Sequence, residues 1–327
     1  MSSQIDKAVA SVLKIDPSNA TLAGTGGGGC SSASASKIDA TMPDGSKKQF
    51  FIKMGPNDAM FAGEHASLRA LHDAVPTICP QSYGHGFLSG TKGTSFLVTD
   101  FLQITSGRRG KAAGDSLAKK LAKLHTTPAP VPSGHDMPMF GFPVPTCCGD
   151  TQQPNDYNAS WADFYAENRL RFIERSSRKS NGKDEELTTL VERLCNEVVP
   201  RLIGDDHLNS GKGVQPVVVH GDLWSGNASV GKLPGMTEAE EVTYDSSACY
   251  AHSEYELGDM KMFGGFGGDF MKEYHSLCPK TEPVEEYDDR VMLYELYHHL
   301  NHHAMFGGHY RHGAVSMIKT LLQKYGD

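Results

Sequence analysis

The chain has 327 residues, of which 39 are acidic and 31 basic, for a formal net charge of −8. Hydrophobic residues make up 39%, as in a globular protein with a sizeable core, and the length suits two domains at roughly 150 residues each. An acidic chain without a long Lys/Arg run is a poor candidate for a nucleic-acid binder, and no apolar stretch approaches the ~18 residues of a membrane span. The first ten residues are too polar for a secretory leader. Seven cysteines, an odd number with no C-x-x-C pair, point to reduced thiols in a cytoplasmic protein.

The first hundred residues read as strand-rich with one helix. Ala20 to Gly24 is a short strand, followed by the run Gly26, Gly27, Gly28, Gly29. Ser36 to Thr41 and Lys48 to Lys53 form two more strands around the turn Pro43-Asp44-Gly45, where Pro fixes φ and Gly permits a positive φ. Helical spacing of Phe61, His65, Leu68 and Leu71 predicts a helix over Asn57 to Ala74, capped by Asn57 or Asp58. Ser82 to Leu88 and Ser95 to Phe101 resemble a hairpin.

The remainder reads as mainly helical. Asp115 caps a helix to His125, and the Pro-rich stretch Pro128 to Pro154 is loop. Helices are expected at Trp161 to Arg175 and Glu185 to Pro200, split by the polar run Ser176 to Lys183. Val217-Val218-Val219 is a short strand, and two helices close the chain at Asp289 to Met305 and Val315 to Tyr325. This is an α+β pattern with two lobes: a β-rich lobe over residues 1–104 and a larger, mainly helical lobe over 105–327.

The most informative segment is His220-Gly221-Asp222-Leu223-Trp224-Ser225-Gly226-Asn227. An Asp and an Asn five positions apart after an apolar strand match the H-x-D-x-x-x-x-N loop of phosphoryl-transfer enzymes. The Asp meets the acceptor hydroxyl as base or orienting group, and the Asn turns back to hold Mg2+ on the phosphates. Val242-Thr243-Tyr244-Asp245 supplies a strand-end acid suited to a second metal ligand. Lys53, ending an apolar strand, and Glu64, in the following helix, stand in the order of a phosphate-binding Lys and its carboxylate partner. The glycine run lacks the Lys-Ser/Thr of a Walker A loop. Between two strands it fits a cover over phosphates, where bare amides approach closely.

With these residues in place, the sequence resembles the fructosamine/ketosamine-3-kinase family, which shares its protein-kinase-like fold with aminoglycoside phosphotransferases and choline kinases. The resemblance rests on His220 to Asn227, Tyr244 to Leu257, Thr146-Cys147-Cys148-Gly149, Phe140-Gly141-Phe142, Met262 to Phe266 and Leu300-Asn301-His302. It implies ATP- and Mg2+-dependent phosphorylation of the sugar O3 of ketosamines, on small amines or glycated proteins, leading to deglycation. Asp222 would be the catalytic base, Asn227 and Asp245 the metal ligands, and Lys53 with Glu64 would meet the phosphates. Backbone groups of Asp100 and Leu102 would face adenine. Trp224 would stack on the sugar adduct, with His252 and Glu254 nearby. Cys30, at the end of the glycine run, is a candidate redox thiol, so a monomer or a redox-dependent dimer is expected. Two departures from the family pattern are Ser246 in place of a Pro and Gly258-Asp259 within an otherwise apolar helix. Two other readings stand beside this one: a related small-molecule kinase of the same fold, and an inactive protein that binds glycated amines.

Overall fold

The computed structural model describes residues 3–24, 33–107, 109–110 and 112–326. The glycine run at Gly26, Gly27, Gly28 and Gly29 and the candidate thiol Cys30 lie outside the described residues.

The chain divides into two units, one of residues 1–117 with 228–245 and the other of 118–227 with 246–327. The first differs from the expected 1–104 because a later hairpin joins it. Strands β1 (Ser3–Gln4), β2 (Ala20–Gly24), β3 (Ser34–Thr41), β4 (Lys47–Gly55), β5 (Ser82–Phe87) and β6 (Ser95–Asp100) form an antiparallel sheet of order β1-β2-β3-β4-β6-β5. Strand alternation sends Ile38, Phe50, Ile52 and Val98 to one face, where they bury against Val9, Ala10 and Leu13 of helix α1 (Lys7–Leu13). Phe51 and Lys53 therefore emerge on the opposite face. Helix α2 (Asp58–Ala74) starts where the Asn57 side chain accepts the Met60 N–H, and buries Phe61, Leu68 and Leu71. A small sheet completes the unit: β7 (Gln103–Ile104) pairs with β11 (Ala228–Lys232), which pairs with β12 (Glu240–Thr243).

The second unit is mainly helical. Its helices are α3 (Leu117–Thr126), which begins at the last residue of the first unit, then α4 (161–181), α5 (185–203), α6 (Glu256–Phe263), α7 (Gly268–Leu277), α8 (Tyr287–Phe306) and α9 (Tyr310–Tyr325). Helix α8 is central, burying Arg290, Leu293, Tyr294, Leu296, Tyr297 and Leu300 among others. Its Tyr294 hydroxyl accepts from the Trp161 indole at 2.8 Å, and Tyr165 donates to the Leu293 carbonyl at 2.6 Å. Helix α4 runs past the expected end at Arg175 to Asn181, because Ile173, Glu174 and Ser177 form a buried stripe and Gly182 ends the helix at φ +90. A π segment at Ala166–Arg171 lies inside α4, and the enclosed Arg169 within it binds the Pro154 carbonyl and Asn155.

Three features lie where the sequence carries no period. The Pro-rich stretch holds a short hairpin, β8 (Thr146–Cys148) with β9 (Thr151–Gln153). Strand β10 (Val217–Val219) pairs antiparallel with β13 (Cys249–Ala251). Helix α6 buries Glu256, Leu257, Gly258, Asp259 and Met260 in succession, so it shows no polar face. Gly258 is required there by contact: a Cβ would stand 2.5 Å from the Tyr294 backbone of α8.

Candidate active site

In the first unit, Lys53 is placed by the alternation of β4 and Glu64 by the helical spacing of α2. The Lys53 ammonium donates to Glu64 Oε1 at 2.7 Å and to Asp245 Oδ1 at 2.6 Å. Burial disfavours its charge, but the carboxylates of Glu64 and Asp245 overcome this and raise its pKa above the ordinary value. Asp245 follows β12, whose last residue is anchored where the Thr243 N–H donates to the Ile78 carbonyl at 2.7 Å. Asp245 itself adopts φ +58, a left-handed conformation that Asp tolerates better than most residues, and its carboxylate is half-exposed.

Asp100 is enclosed, and its side chain serves the fold. It accepts from the Tyr83 hydroxyl at 2.6 Å and the Gln81 N–H at 3.2 Å, with Lys48 at 3.6 Å. Its own N–H donates to the Gln81 carbonyl and its carbonyl accepts from the Thr99 hydroxyl at 3.0 Å, so only the second lone pair of that carbonyl is left for a base. Leu102 is half-buried, and its carbonyl accepts from Ile104. A depression of about 660 Å³ in this unit is lined by Gln49, Phe101, Gln103, Lys232 and Met236 among others; Lys53 does not line it.

The second unit carries the H-x-D loop at the end of β10. The N–H groups of His220 and Gly221 both donate to the buried Glu256 carboxylate, with the His125 ring 3.6 Å away. Burial alone would push that carboxyl up; the hydrogen bonds and the His125 and His220 rings outweigh it and hold it below the ordinary range. Glu256 is thus the anchor of the loop. The sequence contained it without pointing to it, since no short motif marks a helix acid that binds a loop from behind. Gly221 turns the chain at φ +80.

Asp222 and Asn227 are brought together. The Asn227 amide nitrogen donates to the Asp222 carbonyl at 2.9 Å and to Oδ2 at 3.1 Å. A 3₁₀ turn at Ser225–Asn227 sets this geometry. Trp224 is half-buried and covers Gly226, where a Cβ would meet the indole at 2.2 Å. Its ring lies 5.5 Å from that of Phe263, which lies 5.2 Å from His302.

His252 and Glu254, expected near the sugar adduct, are enclosed within the second unit. Both are 2% exposed, and their polar atoms are engaged inside the unit. His252 bonds the Tyr294 and Thr281 hydroxyls, each at 2.8 Å. Glu254 holds Arg290 at 2.7 Å and accepts the Thr281 N–H at 2.8 Å. These bonds tie the segment after β13 to Thr281 and to helix α8. Two buried groups set the departures from the family pattern in context. The Ser246 hydroxyl has no hydrogen-bond partner among the described residues, and Asp259 lies 3.2 Å from His298 with both enclosed.

Residues 9–324 match the family model for fructosamine kinase. The chain is 34% identical over 307 residues to a chloroplastic protein-ribulosamine 3-kinase of Oryza sativa subsp. japonica, covering 91% of this chain and 78% of the relative. It is 31% identical over 324 residues to the ketosamine-3-kinase of Mus musculus, covering 93% and 96%. A solved structure from Thermobifida fusca, described as a fructosamine-3-kinase, superposes with a TM-score of 0.73 at 21% identity, covering 98% of this chain and 99% of that one. The fold is thus α+β and protein-kinase-like.

Proposed function

We propose, from the premise that this chain belongs to the fructosamine kinase family, that it transfers the γ-phosphoryl group of ATP to the O3 hydroxyl of ketosamines. The acceptors are ribulosamine and fructosamine adducts on small amines and protein lysines, and the product leads to deglycation. The observation that carries the phosphoryl-transfer reading is Lys53, a charged ammonium held at once by Glu64 and Asp245. Such an ammonium is fixed before ATP arrives and stabilises phosphate charge without reorganising.

In this reading Asp222 accepts the hydroxyl proton, and Trp224 offers its face to the sugar's C–H surface or to the adduct's amine. Asn227 and Asp245 suit Mg2+: both are oxygen donors, and Asn227 turns its nitrogen to Asp222, which leaves Oδ1 as the ligand atom. The ion, when bound, neutralises charge on the phosphates. The setting is the cytoplasm, in keeping with six unpaired cysteines among the described residues.

ATP turnover with ribulose-, fructose- and psicose-lysine, run beside Asp222→Asn, tests the reading. The wild type should phosphorylate at least one adduct, with the phosphate on O3 by phosphorus NMR, and Asp222→Asn should be inactive. Absence of turnover with all three would remove the proposal.

A further inference from the structure

We propose that Cys148 is a positioning residue for the acceptor base: its thiol donates to Asp222 and fixes the plane of that carboxylate. The proposal rests on the reading of Asp222 as base. Cys148 ends β8 and is 1% exposed; its Sγ lies 3.6 Å from Asp222 Oδ1, within reach of an S–H donor.

Asn301 of α8 settles the direction of that bond. Its amide nitrogen donates to the Cys148 carbonyl at 3.2 Å and to Sγ at 3.4 Å. The carbonyl is only an acceptor, so the nitrogen of the amide must face Cys148. Sulfur then receives a donor from Asn301, and its own hydrogen points to Asp222. Burial, with Asp222 and Asp259 nearby, pushes the thiol well above its ordinary pKa, so it keeps that hydrogen.

The arrangement controls a soft coordinate. The terminal torsion of an Asp is broad and two-fold, so a carboxylate held at one oxygen still swings. Here Asn227 holds Oδ2 at 3.1 Å and Cys148 reaches Oδ1. The sulfur is itself fixed. Thr146 on the same strand accepts from Asn155 at 2.9 Å, Asn155 accepts from the buried Arg169 at 2.9 Å, and Gln153 of β9 donates to the Tyr297 hydroxyl at 2.6 Å. Asn301, Cys148 and Asp222 thus form a chain of bonds from the central helix to the reacting group. Cys148 touches no reactant; it acts through Asp222.

Two measurements test this on the full-length protein. In the S–H stretching region of the infrared spectrum, the band lost in Cys148→Ser is that of Cys148. It should lie at lower frequency than a free thiol and move up in Asp222→Ala. A band that does not move with Asp222→Ala overturns the proposal, whether or not the protein phosphorylates ketosamines. In kinetics, Cys148→Ala should lower kcat about tenfold, the weight of one hydrogen bond to a charged group, and leave both KM values within about twofold. Cys148→Ser, which keeps a donor, should recover part of the loss. Wild-type kcat in Cys148→Ala, with Asp222→Asn inactive, overturns the role of Cys148 while the kinase reading stands.

Discussion

A Cβ built on Gly221 would stand 2.0 Å from the carbonyl oxygen of Ser247, and Ser247 returns its N–H to the His220 carbonyl at 2.9 Å. The loop that carries Asp222 is thus pressed directly onto the backbone of the segment 246–248. Gly221→Ala meets both a left-handed φ and this contact. Strain of ~1–2 kcal/mol and overpacking of ~1–3 kcal/mol add at one position. The variant should melt well below the wild type and lose most of its kcat. A melting temperature equal to wild type would show that the loop has room to move.

Lys53 offers the second prediction. Lys53→Met keeps the length of the side chain and removes the charge that Glu64 and Asp245 share. Loss of a preorganised cation should lower kcat by about 10²-fold or more. The two carboxylates are then left facing each other, so Asp245 should also hold a divalent cation differently, raising the Mg2+ needed for half-maximal rate. An unchanged kcat in Lys53→Met would remove Lys53 from the chemistry.

Stability should fall in acid for a reason internal to the second unit. Burial pulls the His252 ring down to about 4, against the pull of Glu254, and pulls His298 down to about 3. In the unfolded chain both titrate near the ordinary 6.5. Below that value the unfolded state takes up protons that the folded state refuses. Stability is therefore complete above about pH 6.5 and falls as the pH drops towards 4, with His252 alone contributing on the order of 3 kcal/mol of the loss. Melts between pH 7 and pH 4 should show this slope, and His252→Gln should flatten it. Because His252 is enclosed, the same variant should leave the KM for ketosamine unchanged; a raised KM would return His252 to the substrate.

The first unit was largely legible because its signals are local. Strand alternation at Phe50 and Ile52, the helical spacing of Phe61, Leu68 and Leu71, and the order of Lys53 before Glu64 each follow from a short stretch of chain. The second unit hid what depends on contacts between distant segments. Nothing near His252 and Glu254 announces Tyr294, Thr281 and Arg290, which enclose them. The hairpin at Cys148 lies among prolines and is held by Arg169 from a π segment, which has no sequence period of its own. The polar run after Arg175 reads as a break, yet one buried stripe suffices to keep it helical. Glycines 26–29 read as a phosphate cover from their place between two strands, and Cys30 as a thiol from its place at the end of that run; all five lie outside the described residues.

The chain passes from one unit to the other after Leu117, after Asn227 and after Asp245. Neither unit is a continuous stretch of the gene. A single crossover between relatives cannot exchange one unit whole: a joint anywhere in 118–227 parts the large sheet from β11, which bonds β7, and from β12, which bonds β11. Lys53 and Asp245 lie on opposite sides of that joint and are bonded to each other, so a hybrid is viable only if both parents agree on their geometry. Chimaeras that exchange one unit whole need three joints, after Leu117, after Asn227 and after Asp245. Gene fragments that ignore this should express as insoluble halves.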